Sequence, residues 1–204
     1  MGRFAFYIDS SACSGCKACQ AACRDKNDLA PGVSWRRIYE VEGGSWKIED
    51  GIITEKPFAY NFSMSCNHCE ETPCVDACPT TALHKTLDGL VVIDKMKCMG
   101  CNYCEWTCPY KALKMDASQG VMTKCDMCED YIYEGRNPAC VDACPMRALE
   151  FGYYDTLVNR HGSNAKIYPL PGYEMTRPSI VIKVHPDAAK ATNDNAVVNN
   201  LEVY

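Results

Sequence analysis

The sequence predicts an α+β protein of two repeated modules, with a small β insertion and an extended C-terminal tail. Three observations carry that reading. The 204 residues contain sixteen cysteines, and all sixteen fall into four groups of four. Segments flanking the groups repeat one another. Between the groups the chain offers only short apolar runs and turn signals, so regular structure is sparse.

The groups are Cys13, Cys16, Cys19, Cys23; Cys66, Cys69, Cys74, Cys78; Cys98, Cys101, Cys104, Cys108; and Cys125, Cys128, Cys140, Cys144. Apolar residues make up 47% of the chain, and about 39% once cysteine is set aside. A conventional core is therefore thin, and bound cofactors are expected to supply part of the folding free energy. The net charge of −5 and the lack of a basic stripe interleaved with aromatics argue against nucleic-acid binding. The longest apolar run, Phe4–Ile8, is far short of the ~20 residues of a membrane span. It also meets Asp9 too soon for a signal peptide, so a soluble chain with no export signal of its own is expected. Arg36-Arg37 has no apolar run behind it and reads as an ordinary charged strand or turn.

Three chemistries use cysteine in fours. Close C-x-x-C pairs repeated this often suit structural disulfides poorly, because disulfides usually join distant segments of small secreted chains. Zinc sites usually show two C-x-x-C pairs across a longer spacer. Groups one and three instead read C-x2-C-x2-C-x3-C. That is the bacterial ferredoxin run, in which three cysteines wrap one cubane and the fourth serves a second. Pro79, Pro109 and Pro145 follow the last cysteine of groups two, three and four; Cys23 is followed by Arg24. Spacing thus selects iron–sulfur clusters, and the modules read as bacterial-ferredoxin-like, each with two [4Fe–4S] clusters. Group two carries a longer gap, and eleven residues separate Cys128 from Cys140, so loops bulge beside those clusters.

The repeats place the elements. Ile8-Asp9 stands before Cys13 as Ile93-Asp94 stands before Cys98, with Gly15 and Gly100 in matching positions. Cys74-Val-Asp-Ala-Cys-Pro79 recurs as Cys140-Val-Asp-Ala-Cys-Pro145. Ala82-Leu83, Ala112-Leu113 and Ala148-Leu149 follow the final cysteines at one interval. Each group is expected to follow a short strand, such as Phe4–Ile8 or Leu90–Ile93, and to precede a short helix starting after the proline. Residues 33–62, with Gly43-Gly44 and Asp50-Gly51, read as a β excursion that either docks a partner or packs over the clusters. Asp155–His161 reads as a helix ended by Gly162, and the chain after Pro186 as a tail lying on a partner or mobile. Two pairings of the groups are open on spacing alone: nested (two with three, one with four) or sequential.

Other residues are weighed against the clusters. Gly15 and Gly100 either bring backbone N–H groups to sulfur or simply make tight turns. Lys17, Arg24, Lys97, Lys111, Lys124 and Arg147 stand near cysteines, where positive charge raises a cluster potential; a solvated surface cation is the default for any one of them. His68 lies between two cysteines, but four thiols already serve each site, so it reads as a donor to a carbonyl or to a partner surface. Tyr103 and Trp106 are expected to shield a cluster. No Ser/His/Asp set or phosphate-binding glycine loop is present, so no catalytic site is expected.

Residues 4–184 resemble the four-cluster iron–sulfur subunits of the dimethyl sulfoxide reductase superfamily of molybdopterin oxidoreductases. The likeness rests on the cysteines and on Phe6-Tyr-Ile-Asp-Ser-Ser11, Arg36-Arg-Ile-Tyr-Glu40, Ser65-Cys-Asn-His-Cys-Glu70, Met122-Thr-Lys-Cys-Asp126, Arg147-Ala-Leu149 and Pro178-Ser-Ile-Val-Ile-Lys183. The resemblance implies nested pairing. Cluster one would use Cys13, Cys16, Cys19 and Cys144; cluster two Cys125, Cys128, Cys140 and Cys23. Cluster three would use Cys66, Cys69, Cys74 and Cys108; cluster four Cys98, Cys101, Cys104 and Cys78. With group three complete, all four are expected to be [4Fe–4S]. The modules would be 1–32 plus 121–162 (outer) and 63–120 (inner), with 33–62 the insertion and 163–204 the C-terminal extension. The resemblance also implies an electron-transfer subunit between a quinol-oxidising membrane anchor and a molybdopterin catalytic subunit. The complex would sit on the periplasmic face after co-export with the catalytic subunit, a cytoplasmic site being the alternative. A soluble reductase subunit without an anchor, a free polyferredoxin and a zinc scaffold are the rival readings.

Overall fold

The computed structural model describes residues 2–200. Strand β1 (Phe4–Asp9) shows why a five-residue apolar run becomes a central strand. Ala5 and Tyr7 pack on one face with Leu157 and Val181, while Phe6 and Ile8 turn to the cysteine-rich core. This is the period-two alternation of a strand buried on both sides. Helix α1 (Ala18–Lys26) follows and carries Cys19 and Cys23.

The insertion is built of β2 (Arg37–Gly43), β3 (Trp46–Glu49), β4 (Ile52–Glu55) and β5 (Phe58–Met64). Strands β2 and β5 pair antiparallel and bury Tyr39, Val41, Tyr60 and Phe62 in the main core. Strands β3 and β4 form a hairpin turned at Asp50-Gly51, both at positive φ, as a two-residue hairpin turn requires. Its Trp46, Ile48, Ile52 and Ile53 are exposed. The base of the insertion thus packs on the body and its tip projects.

Next come α2 (Pro73–Asp76), β6 (Leu83–Lys85), β7 (Val91–Ile93), α3 (Tyr103–Thr107), β8 (Lys114–Asp116) and β9 (Val121–Thr123). Strands β6–β7 and β8–β9 are small antiparallel hairpins, and the second bridges the module boundary expected at 120/121. Then follow α4 (Glu129–Tyr133), α5 (Ala139–Asp142), β10 (Leu149–Tyr153) and α6 (Tyr154–His161). Gly162 ends α6 at φ 86°, as expected from the sequence. Strand β10 pairs antiparallel with β1, and β11 (Ile180–Lys183) joins β1 in parallel on its other side. The architecture is α+β with small sheets, and among the described residues no helix is long and apolar enough to cross a membrane.

Two expectations are corrected. The short helices lie before the prolines, not after them. A C-x3-C spacing is one helical turn, so α1, α2, α3 and α5 form around the third cysteine of each group. The residue before a proline is driven out of the α region, and Cys108 is extended (φ −81°, ψ 111°). The Ala-Leu pairs after the prolines therefore lead into β6, β8 and β10. The tail is not loose either. A 3-10 turn at Pro186–Lys190 leads to β12 (Ala196–Val198), which adds to the free edge of β2. Buried Asn200 donates to the Ile38 carbonyl at 2.6 Å and accepts the Glu40 N–H at 3.0 Å.

The backbone repeats more faithfully than the sequence. Two residues after the first cysteine of each group the backbone is left-handed: Gly15, His68, Gly100 and Met127 (φ 73°, 41°, 69° and 62°). Three residues after the last cysteine, Thr81, Lys111 and Arg147 are left-handed as well (φ 52°, 48° and 51°).

Two outcomes follow from this packing. Asn200→Ala removes two buried hydrogen bonds and is expected to cost about 1–3 kcal/mol, read as a lower denaturation midpoint of the anaerobic holoprotein; a loose tail would leave the midpoint unchanged. Gly100→Ala would set its Cβ 2.4 Å from the Gly120 carbonyl oxygen, whereas Gly51→Ala meets nothing within 4 Å at a similar φ. Gly51→Ala is therefore expected to cost about 1–2 kcal/mol of conformational energy, and Gly100→Ala to cost clearly more and to lower iron content.

Candidate iron–sulfur centres

The fold gathers the sixteen thiols into four sets. One cavity of about 340 Å³ is lined by Cys13, Cys16, Cys19 and Cys144, with Ile8, Ile38 and Leu149. A second, of about 320 Å³, is lined by Cys78, Cys98, Cys101 and Cys104. A third, of about 360 Å³, is lined by Cys66, Cys69, Cys74 and Cys108. The remaining four, Cys23, Cys125, Cys128 and Cys140, are all buried, and their thiols act electrostatically on one another. Helix α1 packs against α5, and α2 against α3, which carries the last cysteine of one group to the loop of another.

Sulfur is met by backbone donors in a repeated way. Ala148 N–H donates to Cys144 Sγ at 3.3 Å. Ala112 and Ala82 N–H groups serve Cys108 and Cys78 in the same manner. The left-handed residue just before each alanine turns that N–H back onto the sulfur four residues earlier. Any residue but proline could offer that N–H; the side chains of the repeated Ala-Leu pairs are all buried, so the pairs also serve packing. At the front of the groups, Gly15 N–H reaches Cys13 and Met127 N–H reaches Cys125 Sγ at 3.4 Å. Gly15 is thus both a turn and a donor to sulfur. Gly100 is held glycine by the nearby Gly120 carbonyl.

The electrostatics test which cofactor fits. Burial pushes Cys13 up to about 11 and Cys23, Cys69 and Cys74 up to about 12, so as free thiols they stay neutral. At Cys78 burial works in the same sense, but the Leu83, Thr80 and Ala82 donors outweigh it and hold the thiol below its ordinary value. Yet Arg36, 1% exposed, sits among them. It donates to the hydroxyls of Ser63 and Ser65, each at 3.0 Å, and to the Cys140 sulfur, and Phe6 lies beneath it at 4.4 Å. Burial opposes its charge; Cys140, Cys19, Cys125 and Cys23 offset that and raise its pKa above the ordinary value. Lys124 is also buried and donates to two carbonyls. Anionic sulfur around the Arg36 guanidinium offsets the cost of burying its charge. Metal binding deprotonates thiols outright and supplies it. Among the described residues no three His, Cys, Asp or Glu side chains are close enough to share one metal ion. An iron–sulfur cubane is larger than a zinc ion and takes four cysteine ligands, which suits these sets.

The remaining expectations are settled residue by residue. Arg36 and Arg37 are buried rather than part of a charged surface, and Arg37 donates to the Tyr110 carbonyl at 3.1 Å. An Arg pair at the head of a strand gives no sign of which way it points, so the sequence could not find this. Of the six cations near cysteines only Lys124 is buried. His68 is fully buried and accepts the Val91 N–H at Nδ1, 2.9 Å, while the Cys125 backbone also acts on its ring. Burial, then Lys124, drives its pKa well below the ordinary value. Tyr103 and Trp106 are exposed, their rings 5.5 Å apart, and they do not shield a cluster. They stand on α3, whose inner face is given to Cys104.

Residues 57–154 match the family model described as a 4Fe-4S dicluster domain. The B subunit of the anaerobic dimethyl sulfoxide reductase of Escherichia coli (strain K12) is 50% identical over 181 residues, covering 89% of this sequence and 88% of the relative. The corresponding B subunit of Haemophilus influenzae is 44% identical over 201 residues, 98% of each protein. The thiosulfate reductase electron transfer subunit PhsB of Salmonella typhi is 38% identical over 154 residues, covering 75% of this sequence and 77% of the relative. Sixteen thiols in four repeated groups, the match to the dicluster family model, and 50% and 44% identity over 89% and 98% of the sequence lead to one conclusion: this protein belongs to the iron–sulfur family of the anaerobic dimethyl sulfoxide reductase B subunits.

Proposed function

We propose that the protein is the electron-transfer subunit of a dimethyl sulfoxide reductase-type complex and holds four [4Fe–4S] clusters in series. The ligand sets are Cys13, Cys16, Cys19, Cys144; Cys125, Cys128, Cys140, Cys23; Cys66, Cys69, Cys74, Cys108; and Cys98, Cys101, Cys104, Cys78. The observation that carries the reading is the composition of the three cavities. Each is lined by three cysteines of one group and the last cysteine of another. When bound, the clusters supply one-electron storage at potentials tuned by net charge, hydrogen bonds to sulfur and exposure. The protein's own residues position the centres, keep water from them and lend N–H groups and buried charge to the sulfur.

In this proposal the outer module is 1–32 plus 121–162 and the inner module 63–120, with 33–62 inserted and 163–204 packed around both. One partner is a molybdopterin catalytic subunit, where the terminal acceptor is reduced. The other is a membrane anchor that oxidises quinol, with the complex on the periplasmic face. Relatives named for dimethyl sulfoxide and thiosulfate reductases share extensive identity with this sequence, which supports placing substrate choice in the catalytic partner. The exposed apolar residues favour a subunit over a free carrier. Trp46, Ile48, Ile52 and Ile53 on the hairpin, and Met96, Met99 and Trp106 around α3, are more apolar surface than a diffusing carrier needs.

Two measurements test this. Anaerobically purified protein is expected to contain roughly sixteen iron atoms and as many labile sulfides per polypeptide; zinc without sulfide would sink the reading. Cys144→Ser is expected to damage the cluster of the N-terminal loop. A variant that lost only the cluster of Cys125, Cys128 and Cys140 would refute the ligand sets.

A further inference from the structure

Lys124 joins the two modules. Its ammonium donates to the Val91 carbonyl and, at 2.8 Å, to the Cys125 carbonyl. Val91, on β7, lines the cavity of Cys66, Cys69, Cys74 and Cys108. Cys125 belongs to the set of Cys23, Cys128 and Cys140. The one ammonium is thus bonded to a residue that lines one set and to a cysteine of the other. His68 completes the arrangement by accepting the Val91 N–H.

We propose that Lys124 is a positioning residue for electron transfer between the two modules, clasping β7 to the Cys125 loop and raising the potentials of the two clusters on either side. The proposal rests on the four-cluster reading above. An electron crossing this junction leaves one side as it arrives on the other; no bond forms or breaks and no proton moves. Each cluster becomes more negative when it holds the electron. A cation bonded to both sides therefore favours occupancy of either, and it does so strongly because it is out of water. It lifts both potentials together and does not set direction. An exposed lysine would be screened and would do neither. The clasp has a second effect. Two rigid loops held by one ammonium keep their separation fixed, and the rate of the step depends on that separation.

The test is an EPR-monitored redox titration of the anaerobic holoprotein. Lys124→Gln keeps a hydrogen-bond donor and removes the charge; Lys124→Arg keeps the charge. With wild-type iron content, Lys124→Gln is expected to shift two of the four potentials downward and leave two in place, while Lys124→Arg stays at wild-type values. Four unmoved potentials in Lys124→Gln, or equal shifts in Lys124→Arg, would overturn the proposal. Should Lys124→Gln lose iron, Lys124→Arg decides alone: full iron at wild-type potentials supports the role, and shifted potentials or the same loss of iron refute it. Failure of the four-cluster reading itself shows separately, as a wild-type protein with fewer than four clusters.

Discussion

The structure depends on one spacing, the single helical turn between the third and fourth cysteines of each group. Residues i and i+4 are about 6 Å apart along a helix. On α1, Cys19 faces the cavity of Cys13, Cys16 and Cys144, while Cys23 faces Cys125, Cys128 and Cys140. The short helix is therefore a spacer between two neighbouring centres. Four such spacers, two per module, let every loop give three thiols to its own set and one to the next. The module pairing, the packing of α1 on α5 and of α2 on α3, and the small size of the sheets all follow from this arrangement. Long helices and wide sheets would push the centres apart.

A thin hydrocarbon core is the natural companion of such a spacing. The interior of each module is occupied by sulfur, and the apolar residues that remain form a shell around it. Phe6, Ile8, Ile38 and Leu149 do this for the outer module, and Leu83, Val91, Leu113 and Met122 for the inner one. Much of the conventional packing lies instead in the insertion and the C-terminal extension, where β2, β5 and β12 form a sheet and β11 completes the sheet of β1. The insertion also brings in Arg36, whose guanidinium donates to Ser63 and Ser65. The insertion is thus part of the electrostatic environment of the sulfur as well as a cover over it.

The four cysteine groups, the α+β class, the strands Phe4–Ile8 and Leu90–Ile93, the hairpin turn at Asp50-Gly51 and the end of α6 at Gly162 were legible in the sequence, because each has a local cause. The helix positions were misread since proline was taken as a start signal; the one-turn spacing of the cysteines acts first, and proline then stops the helix. The fate of the tail was not legible. Nothing local in Ala196–Val198 says that β2 has a free edge, and pairing across more than 150 residues leaves no mark on either strand. Burial of charge was hidden for the same reason. Arg36 and Lys124 look like the half-buried Arg24 and the exposed Lys111 until the fold surrounds them with sulfur.

The repeated and the unrepeated features of the sites divide the electrostatic work between them. The N–H donors at Ala82, Ala112 and Ala148 recur at three sets and act on one sulfur each. A feature shared in this way stabilises negative sulfur at those three sets alike. Arg36 and Lys124 do not recur. Arg36 lies among thiols of the two outer sets, and Lys124 touches one outer and one inner set, so each acts on a pair of neighbours. In the proposed assignment both act on the set of Cys23, Cys125, Cys128 and Cys140. Buried positive charge there stabilises negative sulfur at the set where the recurring alanine donor is missing. Differences between the centres therefore have to come from residues that do not recur, and these cations are such residues.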